Sequence, residues 1–571
     1  MAGIFTAKAL VKRGAAVALV DATGPMTGTS CLSTEGFRTA WPTVGQAALV
    51  ASSLDELGED AQLHQNGYLF VTRRAEAQVD PCSVFPDLGR AGGGVRFHLD
   101  AAAAATRPGG DRPRGVDVFV GGQAVAAAFP WLDPSVTAAV WYRRAGWMPA
   151  HTVGMDALDA TVEAAAERDA LRLVRARVTG IDASAAGGVR SVSVRSASGV
   201  DDVLHTRAVV NAAGPAANAV HATIRLDGSD SLAQAAQSPA GGGVRPGDLP
   251  LFSQVHAKGI VRDSLASIPR DAPLTITMDE EPLRWDWESH PEEPDRHAEA
   301  GIASELQAEL TGRLNDRAPL ITGSLPGAAH FRPYGPDALL VLWEHHHSEV
   351  EPMRFPPRCP VEAGMVDTES YAETVLRRLA RDIPALAAYI EPGSPPGRRA
   401  ISAAGQGASA SQRRFAVDGG YYTRTPDNVP LVGPGPVPQP NEAAASTELD
   451  AAERLARGEV PAAFCREVEQ LPGYILAAGL SGYGIMAGAT VGRLAAAWAS
   501  ADVPCGRRDI PEAALAAAAP SVPGVDSAAS MVPPGRMDWV LGGMMHPMRF
   551  NNAEWRDTAL PAMLAAGGGQ L

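Results

Sequence analysis

Apolar positions change period repeatedly along the chain, and each change marks an element. Ile4, Leu10 and Val11 share one face of an opening helix, Gly14 breaks it, and Ala16–Val20 reads as an unbroken apolar strand. Met155–Arg168 predicts a further helix. Arg207–Ala212 predicts a buried strand, and Tyr474–Ala478 another strand ahead of a glycine-rich turn. Such alternation predicts an α/β protein with an open, mostly parallel sheet. Between the periodic segments, 101–117, 227–248, 436–460 and roughly 506–571 are rich in Ala, Gly, Pro and Ser. They read as insertions, linkers and a tail with little functional content. No repeat of fixed period is present, which argues against solenoids and propellers.

Length and composition bound this picture. With 571 residues the chain exceeds one ordinary core, so two intertwined domains are expected. A net charge of −15 and the lack of a basic stripe argue against a nucleic acid or an anionic membrane as partner. The most apolar helix candidate is interrupted by Arg493, and no run approaches the ~18 residues of a membrane span, so a soluble protein is expected. Cys31, Cys82, Cys359, Cys465 and Cys505 are widely spaced and odd in number, which indicates neither a disulfide framework nor a zinc site. The His345–His347 run places neighbours on opposite faces of an extended segment, so no metal site is expected. The sequence opens in a helix and not in a leader, so an organelle-targeting segment would lie upstream of Met1 and the compartment stays open.

A dinucleotide-binding unit runs from a strand through G-x-G-x-x-G into a helix, then into a second strand that ends in an acidic residue. MAGIFTAKALVKRGAAVALVDA supplies the later part. With Gly3 as the third glycine, Asp21 ends the second strand at the expected distance, and the first strand and first two glycines are missing. The same series is common in α/β proteins that bind no nucleotide. In TGTSCLSTEGFRTAWP, the hydroxyls of Thr29, Ser30 and Ser33 with Gly28 and Gly36 suit a loop around pyrophosphate and flavin, and equally a polar surface turn. VVNAAGPAA, 209–217, stops at Ala213-Gly214, where a cofactor could lie against bare backbone or a plain turn could follow.

The order of these motifs resembles the D-amino-acid oxidase family, which includes sarcosine and glycine oxidases and related FAD-dependent oxidoreductases. NGYLFV (66–71), RRAGWMPAHTV (143–153), GGYYTRTPDNVPLVGP (419–434) and GYILAAGLSGYGIMAGATVGRLAAAW (473–498) are similar to further family segments. The resemblance implies a Rossmann-like FAD-binding domain, first strand missing, from 1–60, 151–226 and 420–505. It implies a second, mainly antiparallel α+β substrate domain from 61–150 and 249–419, with insertions at 227–248 and 436–470 and a tail at 506–571. By the same likeness Gly3 meets the pyrophosphate, Asp21 the ribose and Val178 the adenine. Thr29, Ser30, Ser33 and Gly36 follow the phosphate-to-flavin path, and Ala213 and Gly214 flank the cofactor. Gly482, Tyr483 and Gly484 sit beside the isoalloxazine, with the next helix directing its N-terminus at the ring. Relatives that bind flavin covalently use a Cys near T-P-D or a His after the second strand. Gly420 and Cys31-Leu32 occupy those places here, so non-covalent FAD is implied.

What the resemblance implies about the reaction is oxidation of a C–N bond in an amino acid or N-substituted amino acid, with hydride transfer to flavin and oxygen or another acceptor completing turnover. A family Lys that helps bind the substrate carboxylate is replaced by Met486. Arg332 in HFRPYGPD and Arg38 in EGFRTAWP are the candidate substitutes, since Arg pairs bidentately with carboxylates; a surface or structural ion-pair residue is the competing role for each. His330 is a candidate for oxygen activation or proton transfer if it faces the flavin, with a satisfied, non-catalytic histidine as the competing role. Of Tyr421 and Tyr422, one should face the pocket, and Tyr421 is the candidate. Two other readings stand beside the enzyme: an FAD-containing assembly or interaction factor, and an incomplete chain that does not bind FAD.

Overall fold

The computed structural model describes residues 1–41, 43–58, 61–85, 88, 94–105, 115–184, 187–227, 243–244, 247–263, 265–279, 281–282, 324–325, 327–343, 368–389, 415–439, 446–466, 468–500, 545–546, 549 and 560. The His345–His347 run, Cys359 and Cys505 lie outside them.

Helix Ala2–Lys12 buries Ile4 and Phe5 against helix Gly484–Ala499, while Val11 packs on Ala165 of helix Ala150–Ala166. Two glycines on the second helix permit the close crossing. A Cβ on Gly492 would stand 2.6 Å from Phe5, and one on Gly488 2.7 Å from Met1. After the turn at Gly14, strand Val17–Asp21 runs parallel to Leu171–Ser184, in the register Val17↔Leu171 to Asp21↔Arg175. That sheet continues antiparallel through Gly188–Ser196 to Asp201–His205.

The expected single sheet is in fact two. Strand Val209–Asn211 pairs parallel with Gln470–Ala478, which pairs antiparallel with Leu431–Pro436. Val17–Asp21 and Val209–Asn211 each have one paired edge, and no described strand stands between them. Both line a single cleft of about 2110 Å³. For this reason Val209 and Val210 are only half-buried, where the apolar run predicted a buried strand.

The second domain is built on nine strands, in the order Phe415–Arg424, Phe252–Arg262, Ala338–Trp343, Ala329–Tyr334, Leu274–Thr277, Tyr68–Thr72, Ala138–Tyr142, Val116–Val120 and Val95–His98. All neighbours are antiparallel except two pairs: Leu274–Thr277 with Tyr68–Thr72, and Val95–His98 with Val116–Val120. Side chains alternate across a strand. Leu69, Val71, Phe331, Val341 and Val417 therefore share a face with Val375, Leu376 and Leu379 of helix Thr368–Ala380. Their neighbours Tyr68, Phe70, Lys258, His330, Arg332 and Tyr422 point the other way, towards the first domain.

All four segments expected to be filler contain structural elements or buried contacts. Within 101–117 there is a short helix, Ala101–Ala105, and the start of a paired strand, where buried Asp117 accepts from Arg143 and meets His98 Nε2 at 2.9 Å. The two insertions meet each other: Gly243–Val244 pairs with Ser446–Thr447, and Ala451 and Leu455 pack on Phe252 and Phe464. In the tail, Arg549 is fully buried and grips Asp427 through Nε and Nη2, both at 2.7 Å, while donating to the carbonyls of Val429 and Pro430. Composition could not reveal a contact between residues so far apart in sequence.

Replacing Arg549 by Ala would strand a buried carboxylate, and breaking such a pair costs about 3–5 kcal/mol. Urea denaturation of Arg549→Ala should show that loss, with Arg549→Met/Asp427→Asn recovering much of it. Equal stability of the wild type and Arg549→Ala would contradict the docked position of this residue.

Candidate active site

The cleft between the two sheets is lined at one end by Gly3, Asp21, Thr29, Val178 and Ala213. Asp21 closes its strand and is aimed by local bonds, its Oδ1 accepting from Thr23 N at 2.9 Å and Gly24 N at 2.8 Å. Gly214 has φ +55, a left-handed conformation that favours glycine, although the space around it is open. Gly420 approaches the same loop: a Cβ there would stand 2.9 Å from Thr29 Cγ2. Ser30 and Ser33 do not line the cleft, and Ser33 Oγ is instead occupied by Glu35 N at 2.8 Å.

A second, smaller cavity of about 50 Å³ lies where the two domains meet. Its walls include Arg38 and Trp41 from the first domain, Tyr68, His330 and Tyr422 from the nine-stranded sheet, and Asn428, Ser481, Gly482, Tyr483 and Met486 from the closing segments. Gly36 and Gly482 allow rings to reach the backbone, for an added Cβ would collide with Tyr68 Oη and the Tyr422 ring respectively. Gly484 begins the adjoining helix without lining the cavity.

Arg38 is 6% exposed, and its guanidinium lies 4.6 Å from the Trp41 ring and 5.8 Å from that of Phe70. Among the described residues it makes no ion pair and no side-chain hydrogen bond. Burying a cation without a carboxylate partner is costly. His330 donates from Nδ1 to Ala328 O at 2.9 Å, and burial, with Arg38 nearby, pushes its pKa down to about 4. The ring is therefore neutral near pH 7, with Nε2 in its acceptor form. Tyr483 donates to Asn428 O and meets Trp41 edge-on at 5.0 Å; burial raises its pKa, so it stays a neutral phenol.

Two expected substrate residues are placed elsewhere. Arg332 is 2% exposed and its donors are engaged: Nε with Thr34 O at 2.9 Å, Nη1 with Pro333 O at 3.0 Å and Nη2 with Glu35 Oε2 at 2.6 Å. It does not line the cavity, because a closer carboxylate already satisfies it. Tyr421 occupies the opposite face of its strand, and Tyr422 takes the cavity position, stacked on His256 at 3.6 Å. Asn428 and Ser481 were missed, although both lie in quoted motifs. Asn428 Nδ2 and Ser481 Oγ are buried without a hydrogen-bond partner among the described residues, and both residues have positive φ, +55 and +49. Each unmet group costs about 1–3 kcal/mol, and the backbone strain adds to it.

A family model described as FAD dependent oxidoreductase (DAO) matches residues 1–352. The chain belongs to this family. No curated protein sequence matches it. Among solved structures it is similar to L-proline dehydrogenase from P. horikoshii, with 16% identity, 87% of this chain and 90% of that chain covered, and a TM-score of 0.50. It is also similar to iminodiacetate oxidase from Chelativorans sp. BNC1 (14% identity, 89% and 95% covered, TM-score 0.47) and to glycine oxidase from Bacillus cereus ATCC 14579 (10% identity, 88% and 93% covered, TM-score 0.47). At these identities, the likeness to the proline dehydrogenase shows a shared fold.

As a member of the FAD-dependent oxidoreductases the chain is an enzyme that uses FAD. The residues present fit that cofactor: a cleft of about 2110 Å³ with an aimed carboxylate at Asp21 and a turn at Ala213-Gly214 with open space around it, and, in the smaller cavity, unmet polar groups at Asn428 and Ser481. No helix among the described residues is long and apolar enough to cross a membrane.

Buried neutral histidines set an acid limit. His221, His330 and His546 are each held down to about 4 by burial, against 6.5 in the open chain. The unfolded chain takes up these protons near pH 6.5, whereas the folded chain resists them until about 4. Stability is therefore full above pH 6.5 and falls as the pH drops towards 4, by up to ~3 kcal/mol for each group. Denaturation midpoints between pH 4 and 7.5 should show this slope, reduced in His221→Gln. An unchanged slope in that variant would remove His221 from the account.

Proposed function

We propose that this enzyme oxidises the C–N bond of an amino acid or N-substituted amino acid whose carboxylate is held by Arg38. The observation that carries this reading is the buried guanidinium facing the cavity without a carboxylate of its own. Planar bidentate pairing with a substrate carboxylate would satisfy it and fix the orientation of the α-carbon. The names of the solved relatives, among them proline dehydrogenase, glycine oxidase and L-amino acid deaminase, are in keeping with such substrates.

Asp21 would hold the ribose hydroxyls of FAD, Val178 and Ala213 its neighbourhood in the cleft, and the Ser481–Gly484 turn with Asn428 its ring end. FAD, when bound, supplies a two-electron acceptor for the substrate C–H bond. Trp41, Tyr68, Tyr422 and Met486 narrow the cavity and exclude water. His330, with a pKa near 4, is too weak a base to store the amine proton, so its Nε2 orients the substrate nitrogen by accepting a hydrogen bond. Oxygen or another acceptor completes turnover.

Loss of a charge-assisted contact is worth ~1.5–3 kcal/mol, or roughly 10-fold to 150-fold in kcat/KM. Arg38→Met should lower kcat/KM for amino acids by that factor while the bound-flavin spectrum persists. It should also shrink the preference for an amino acid over the amine lacking its carboxylate. If that preference is intact in the variant, Arg38 is not the carboxylate ligand.

Attachment of the cofactor is non-covalent on this reading, since Gly420 stands beside T-P-D and Cys31 Sγ is turned towards Gly28 O at 3.0 Å. Acid or heat should release all flavin into the supernatant. Fluorescent flavin migrating with the denatured polypeptide would show a covalent bond.

A further inference from the structure

We infer that Lys258 and Arg332 are positioning residues, two cations of the nine-stranded sheet that fix the segment 32–35 and thereby place Arg38. The inference rests on the reading of Arg38 as the carboxylate ligand and adds how that ligand is held. Lys258 is 7% exposed, and its ammonium donates to Leu32 O at 2.8 Å and Ser33 O at 2.9 Å, with Asp418 Oδ1 at 3.2 Å. Arg332 takes the next two residues, Thr34 through its carbonyl and Glu35 through its carboxylate. Four consecutive residues of the first domain are thus held by two side chains of the second.

Glu35 is the pivot. It has φ +63, a conformation that a non-glycine residue keeps only where its surroundings impose it. Those surroundings are explicit: Oε2 accepts from Arg332, Oε1 accepts from Ala150 N at 3.2 Å, and its carbonyl accepts from Met148 N at 3.0 Å. From there the chain runs directly into Gly36–Arg38, which pairs antiparallel with Ala145–Trp147, Arg38 opposite Ala145. Trp41 Nε1 then donates to Arg38 O at 2.8 Å. Two residues, Gly36 and Phe37, separate the pivot from Arg38, and they pair with Trp147 and Gly146 of the neighbouring strand.

Charge bookkeeping agrees with this division of labour. Lys258 has Asp418 and Arg332 has Glu35, while Arg38 has no carboxylate among the described residues. Two of the three cations serve the protein and the third is left for the substrate. Because Lys258 and Arg332 belong to the substrate domain, they also tie the placement of Arg38 to the wall that carries Tyr68, His330 and Tyr422.

The test is a double-mutant cycle on the FAD-loaded enzyme with Lys258→Met and Arg38→Met, assayed on an amino acid and on the amine lacking its carboxylate. Misplacing a ligand by about an ångström costs up to roughly a hundredfold. Lys258→Met should raise KM for the amino acid about tenfold or more and lower the amino-acid-to-amine ratio of kcat/KM in step. Lys258→Arg, which keeps donors for Leu32 O and Ser33 O, should restore most of the ratio. In the double variant the two losses should overlap, since a misplaced Arg38 and a missing one have the same consequence. Fully additive losses, or an equal loss on both substrates, would overturn the inference by showing a general structural effect. Arg332→Lys, which keeps a charge opposite Glu35 but loses the bond to Thr34 O, gives the same readout should Lys258→Met fail to fold. An Arg38→Met enzyme with its amino-acid preference intact would instead remove the reading of Arg38, and this inference with it.

Discussion

A cation can be buried only if something answers its charge, and the seam between the two domains is organised by that constraint. Lys258, Arg332 and Arg38 come close to one short segment of the first domain, and two of them are answered from within the chain. Glu35 and Asp418 neutralise Arg332 and Lys258, and the carbonyls of Leu32, Ser33, Thr34 and Pro333 accept from their other donors. Arg38 is supported by the rings of Trp41 and Phe70, which favour a guanidinium without cancelling its charge. On the proposed function, a substrate carboxylate would answer that charge.

The same logic of incomplete satisfaction runs through the cofactor side. The ends of Val17–Asp21 and Val209–Asn211 open on one cleft, and an acidic residue and a bare glycine turn stand at its mouth. In the smaller cavity, Asn428 and Ser481 hold buried polar atoms and strained backbone beside a glycine that leaves room for the Tyr422 ring. A folded chain keeps such costs where binding recovers them. Arg549, from far along the sequence, stabilises this region by locking Asp427, the residue immediately before Asn428.

Local order and motif order were legible in the sequence. The helix–strand–Asp unit at the start, the strand before Ala213-Gly214 and the strand before the closing glycine turn all formed, because each rests on apolar periodicity and glycine at fixed offsets, which are properties of a few neighbouring residues. They were enough to indicate the FAD-dependent family; of the candidate residues, Asp21 lines the large cleft and Arg38 and Gly482 line the smaller cavity. What the sequence could not decide was which of two chemically equivalent groups is free. Arg38 and Arg332 were equal candidates as residue types, and only the folded chain brings Glu35 to Arg332 across nearly three hundred positions while leaving Arg38 without a carboxylate. Tyr421 and Tyr422 were separated in the same way, by the face of the sheet that helix Thr368–Ala380 covers. The tail's composition gave no hint of Arg549. Residue type and spacing fix local geometry and chemical capacity; pairing, burial and the face presented to a cavity are set by long-range contacts, and those exist only once the chain has folded.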